Sequence, residues 1–124
     1  MGRVVLVCGG RDFKDRNRLY AVLDGLKPGV IVHGGAKGAD SLAGEWARDR
    51  GVEERVYPAN WEKYGKTAGP IRNREMLCSE PIDTVVAFPG GSGTAHMVSL
   101  ASAKEGVRVL QLAPRPKLVG EPVG

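Results

Sequence analysis

Three short segments of the 124-residue chain carry the residue types from which an anion site can be built. They read Cys8-Gly9-Gly10-Arg11-Asp12, His33-Gly34-Gly35-Ala36-Lys37-Gly38-Ala39-Asp40 and Pro89-Gly90-Gly91-Ser92-Gly93-Thr94. Glycine takes up positive φ without strain and lets a backbone N–H approach a ligand with no Cβ in the way. Where such a loop runs straight into a helix, the free N–H groups and the positive end of the helix dipole favour phosphate. The second and third segments have this form, with Asp40 and Thr94 near the helix starts, as N-caps or as partners of a ligand hydroxyl. Arg11 and Asp12 stand at the first loop as ligand contacts or as a solvated pair. A fourth segment, Arg72-Asn73-Arg74-Glu75, adds two guanidiniums suited to clamping phosphate. Two positions apart on a helix, they point to different sides, so one at most reaches a shared ligand unless the helix begins after them.

These loops are useful only if the chain brings them together, and the hydrophobic pattern says that it does. Val4 to Cys8 is a continuous apolar run, as in a strand buried on both faces of a parallel sheet. Leu19, Val22, Leu23 and Leu26 follow at helical spacing, with a stop expected at Pro28-Gly29. Val30–Val32 reads as a second strand, and Ala39, Leu42, Ala43, Trp46 and Ala47 as a helix stripe ended by Gly51. Arg55–Tyr57 reads as a third strand, 59–70 as irregular, and Pro70 or Ile71 to Ser79 as a helix. Thr84–Phe88, a helix over Thr94–Glu105 and Val107–Leu112 complete the series. Alternation of this kind predicts an α/β fold, a Rossmann-like three-layer sandwich on a five-stranded parallel sheet in the order 3-2-1-4-5. Strand 1 then lies beside strand 4 at the topological switch point, and the three glycine loops converge at one edge of the sheet. A single domain over 1–113 is expected, with an extended or disordered tail over 114–124.

Two familiar phosphate motifs are excluded. Gly65-Lys66-Thr67 lacks the first P-loop glycine, whose place is held by Asn60, and no strand precedes it. Gly91-Ser92-Gly93 begins a dinucleotide fingerprint whose last position is His96. His33 and His96 have no Ser or Cys nucleophile pattern and are taken as structural. Trp46 falls in the core stripe. Trp61 and Tyr64 suit a cover for the sheet edge better than a wall for a base, and Lys37 suits solvent.

Composition limits the remaining classes. The 18 glycines are about double the number expected at average usage of about 7%. They show no three-residue period, which excludes collagen, and 42% hydrophobic residues exclude low complexity. Eight of them lie in the three loops. The net charge of +4 suits an anionic ligand, and the basic residues are dispersed rather than clustered as nucleic acid would ask. Cys8 and Cys78 lie far apart with no CxxC, so no metal site is expected. No run spans a bilayer, and Met1-Gly2-Arg3 leads straight into a strand rather than a signal peptide, so a cytoplasmic protein with reduced thiols is expected.

With Ala68-Gly69-Pro70-Ile71-Arg72-Asn73-Arg74-Glu75-Met76, the three loops resemble the SLOG superfamily over about residues 3–112. That superfamily includes the LOG phosphoribohydrolases and the DNA-processing protein DprA. The match is best to the small YspA, or cpYpsA-related, branch of bacteria and their phages. The resemblance implies a Rossmann-like fold and a nucleotide, nucleoside phosphate or ADP-ribose-like ligand, with no cofactor required. It points to Gly9, Gly10, Arg11, Asp12, Gly34, Gly35, Ala36, Gly38, Asp40, Arg72, Asn73, Arg74, Pro89, Gly90, Gly91, Ser92, Gly93 and Thr94 as ligand contacts. LOG-type relatives imply a homodimer. The LOG-type motif PGGxGTxxE ends in a glutamate that assists N-glycosidic cleavage, and Met97 stands at that position here. Methionine neither passes a proton nor stabilises a developing positive charge. The resemblance therefore implies binding, as a sensor, a sequestering module or a regulatory domain, more than turnover. Hydrolysis with Asp40 or Glu75 as substitute acid is the alternative, and single-stranded nucleic-acid binding ranks third.

Overall fold

The computed structural model describes residues 2–115. Strands β1 (Arg3–Cys8), β2 (Pro28–His33), β3 (Glu53–Val56), β4 (Thr84–Ala87) and β5 (Arg108–Gln111) alternate with helices α1 (Arg16–Leu26), α2 (Ala39–Arg50), α3 (Trp61–Tyr64), α4 (Ala68–Ser79) and α5 (Ser92–Ser102). All neighbouring strands pair in parallel, in the order β3-β2-β1-β4-β5 expected from the sequence. β1 is central: Leu6 pairs with Val32 on one side and Val85 on the other.

The period of two along each strand divides the core into two layers. Val5, Val7, Ile31 and Val86 face Leu19, Leu23, Ala43 and Trp46 of α1 and α2. Leu6, Val32, Val85 and Ala87 face Met76, Leu77, Met97 and Ala101 of α4 and α5. This is why the central strands read as unbroken apolar runs. Each fully buried Val or Leu contributes about 1.5–3 kcal/mol relative to an exposed one, so the two layers dominate the stability. Among the described residues no helix is long and apolar enough to cross a membrane.

Element boundaries depart from the sequence reading where local hydrogen bonding outweighs the apolar pattern. α1 ends at Leu26, and its C-cap Lys27, directly before the stop expected at Pro28-Gly29, is left-handed (φ 53°) and donates its N–H to the Leu23 carbonyl. Pro28 then opens β2, a first-strand position that tolerates its missing N–H. β3 starts two residues earlier than expected, because pairing with β2 selects Glu53–Val56 and an edge strand accepts charge. The stretch expected to be irregular is mostly helical. Asn60 caps α3 by accepting from Lys63 N–H at 3.1 Å, and a 3₁₀ turn at Gly65–Thr67 leads into α4 at Ala68. Pro70 falls in the first turn of α4, where its N–H would have no helical acceptor. α5 begins at Ser92 rather than Thr94 and ends at Ser102. Of the tail expected over 114–124, only Pro114 and Arg115 are among the described residues; the rest lies outside them.

Candidate ligand-binding site

At the carboxyl ends of β1 and β4 the loops are stitched together through their backbones. Gly10 N–H donates to the Pro89 carbonyl at 2.8 Å. The Gly10 carbonyl accepts from Phe13 N–H and from Ala39 N–H, each at 3.2 Å. A Cβ on Gly9 would meet Ala39 and Phe88, one on Gly90 would meet Gly10 and Thr94, and one on Gly38 (φ 81°) would run into the Gly10 carbonyl. These glycines let three loops touch. Gly91 and Gly93 differ, because a Cβ at either would meet nothing. They leave backbone open rather than closing it.

The β2 loop is held from several sides. Asp40 Oδ2 accepts from Gly34 N–H and Ala36 N–H, both at 3.2 Å, so Asp40 pins the loop before its own helix instead of capping that helix. The N-cap position of α2 is Gly38, which provides no side-chain cap. Arg72 Nη1 donates to the Gly34 carbonyl at 2.8 Å, and His33 Nδ1 accepts from Gly35 N–H at 3.0 Å. His33 Nε2 in turn bonds Glu54 at 2.6 Å, and Arg48 reaches the other Glu54 oxygen at 2.9 Å. Burial alone would raise the Glu54 carboxyl, but His33 and Arg48 outweigh it and hold the group below its usual range. Asp40 is 7% exposed, and burial pushes its carboxyl above the usual range despite the Ala36 and Gly34 amides, His33 and Arg72.

Between the β1 loop, the β4 loop and the start of α4 lies a cavity of about 1250 Å³. Val7, Cys8 and Met76 are among its apolar lining residues, with Gly9–Asp15 on one side and Pro89–Thr94 on another. Burial and the nearby Asp40 charge push the Cys8 thiol up to about 12, which makes it a poor nucleophile. Arg11, Lys14, Arg18, Lys66, Arg72 and Arg115 line the cavity against three carboxylates, Asp12, Asp15 and Asp40. Arg115 pairs with Asp15 at 2.6 Å, and Arg18 donates to the Ala113 carbonyl at 2.6 Å. The first helical bond of α5 runs from Ala95 N–H to Gly91, so the amides of Ser92, Gly93 and Thr94 are left over, and no side chain caps them.

Of the contacts expected from sequence, Gly9, Gly10, Arg11, Asp12, Asp40, Arg72, Asn73, Pro89, Gly90, Gly91, Ser92, Gly93 and Thr94 line this cavity. Gly34, Gly35, Ala36, Gly38 and Arg74 do not, and neither does Glu75, the second candidate acid. Arg74 and Glu75 sit on the exposed face of α4. Met97 is 0% exposed in the apolar layer with Met76 and Cys8. Lys14, Asp15, Arg18, Lys66 and His96 also line the cavity without having been expected there from sequence, and Trp61 was expected as an edge cover. Trp61 is 53% exposed and lines the cavity, while Tyr64 does not. Asn60, capping the turn that carries Trp61, was the available signal. Among the described residues no three His, Cys, Asp or Glu side chains gather where a metal ion could be held.

A parallel sheet in this order, with its cavity at the β1/β4 switch point, defines a Rossmann-like α/β protein. The chain belongs to the YspA, cpYpsA-related SLOG family, whose model matches residues 3–64. It is also 40% identical, over 92% of its own length and 99% of the other's, to the Gene 61 protein of Mycobacterium phage D29.

Proposed function

We propose that this protein binds a nucleotide or nucleotide-derived ligand at the β1/β4 cavity and acts by sensing or sequestering it. The observation that carries this reading is the uncapped start of α5. Its leftover amides, flanked by Gly91 and Gly93 with no side chain in the way, open onto a cavity rimmed mostly by basic groups. Trp61 offers a face for a base, and the volume accommodates more than a phosphate alone. Membership of the SLOG family supports the same ligand class. The test is thermal unfolding against AMP, ADP and ADP-ribose, with mass spectrometry of any molecule that co-purifies. Ligand at a hundred times its Kd should stabilise the fold by about 2.7 kcal/mol, a rise of several degrees in Tm. No rise with any of the three, and no released nucleotide, would overturn the reading.

A second reading rests on Asp40, which lines the cavity with a carboxyl pushed above its usual range. Such a group can serve as the acid in N-glycosidic hydrolysis. Release of free base from AMP by the wild type, abolished in Asp40→Asn, would support it; equal release by both would remove Asp40 from the mechanism.

A further inference from the structure

His96 is the one histidine on the cavity, and its hydrogen bonds decide which of its nitrogens carries the proton. The Arg72 guanidinium is always a donor. Arg72 Nε donates to Asn73 Oδ1 at 3.1 Å, which fixes the carboxamide with its NH₂ on the other side. Asn73 Nδ2 then donates to the Gly93 carbonyl and to His96 Nδ1, each at 3.2 Å. His96 Nδ1 is therefore an acceptor, and in the neutral ring Nε2 bears the hydrogen. Nε2 lies on the far edge of the ring and has no partner among the described residues. His96 is in the second turn of α5, and helical side chains lean toward the N-terminus, so its ring leans toward the turn that begins at Ser92.

We propose that His96 is a specificity-determining residue of this cavity, its Nε2–H donating to an anionic oxygen of the ligand held at the start of α5. The proposal rests on the ligand reading above. Asn73 and Arg72 are positioning residues in this scheme: they touch His96, directly or in sequence, and set its tautomer. A donor at that point selects a phosphate or carboxylate oxygen over a group that presents only N–H. Nothing in the chain's pattern marked this role, since Arg72, Asn73, Gly93 and His96 come from two helices.

The test combines tautomer and affinity in the full chain. Nitrogen-15 spectra of the histidines should show His96 as the Nε2–H form, assigned by its loss in His96→Phe, and its ring signals should move on adding AMP. The Nδ1–H form would overturn the proposal. By calorimetry with AMP, His96→Phe should bind at least about tenfold more weakly. His96→Gln, whose amide NH₂ replaces the Nε2 donor, should bind within about threefold of the wild type. A merely structural histidine would not show this rescue. If the wild type binds AMP and His96→Phe binds it equally well, the role of His96 fails while the ligand reading stands. If the wild type binds none of AMP, ADP and ADP-ribose and releases no nucleotide, both fail together.

Discussion

The loops after β2 and β4 carry similar residues, a Gly-Gly pair and a third glycine before a helix, yet they are finished differently. In the β2 loop the polar groups are consumed internally: Asp40 takes two amides, Arg72 takes a carbonyl, and His33 takes the Gly35 N–H. In the β4 loop only Gly90 is packed against its neighbours, and the amides that follow Gly91 are left over. Glycine-rich composition is thus shared by a loop that supports and a loop that opens. What separates them is the destination of each backbone hydrogen bond, which follows from side chains as distant as Arg72.

That contrast can be broken by substitution. Gly38→Ala should be the most damaging change, because it places a methyl against the Gly10 carbonyl at a positive φ. A loss of about 2–5 kcal/mol is expected in urea unfolding, and a loss under about 1 kcal/mol would show the β2 loop to be less rigidly packed than described. Asp40→Ala comes next. It leaves the Gly34 and Ala36 amides without their acceptor, for a cost of about 1–3 kcal/mol. The companion variant Asp40→Asn checks the charge. A carboxyl raised in the folded state binds its proton more tightly there than when unfolded. Its contribution therefore favours folding at low pH and declines as pH rises through the window above about 4. Tm measured from about pH 4 to about pH 7 should fall less steeply in Asp40→Asn than in the wild type. Gly93→Ala should have the smallest effect on stability and the opposite sign, a gain of up to about 1 kcal/mol from helix propensity. The same methyl stands where a ligand approaches, so AMP binding should weaken while Tm rises. Tighter binding in this variant would remove the β4 loop from the site.

Much of this arrangement was legible in the chain. The central strands announced themselves as continuous apolar runs, and the switch point followed from the alternation of strand and helix. β3 was misplaced by two residues because an edge strand is selected by backbone pairing, which leaves little trace in side chains such as Glu53 and Glu54. α3 is four residues long, too short for a periodic stripe, and only its Asn60 cap marked it. At the site, the β1 and β4 loops were readable as approaching backbones. The closure of the β2 loop was not, because an aspartate at a helix start looks the same whether it caps forward or pins the loop behind it. Arg72 and Arg74 could be told apart only once the face of α4 that packs on the sheet was known.

The two tryptophans give the molecule a built-in optical readout. Trp46 is buried at the α1/α2 layer with its indole N–H bonded to Asp24 at 2.8 Å, whereas Trp61 stands in water at the cavity mouth. Iodide should quench the emission of Trp61 and spare that of Trp46. An occupant stacked on Trp61 should then shield it, so occupancy of the cavity and integrity of the core can be followed separately in one unlabelled sample.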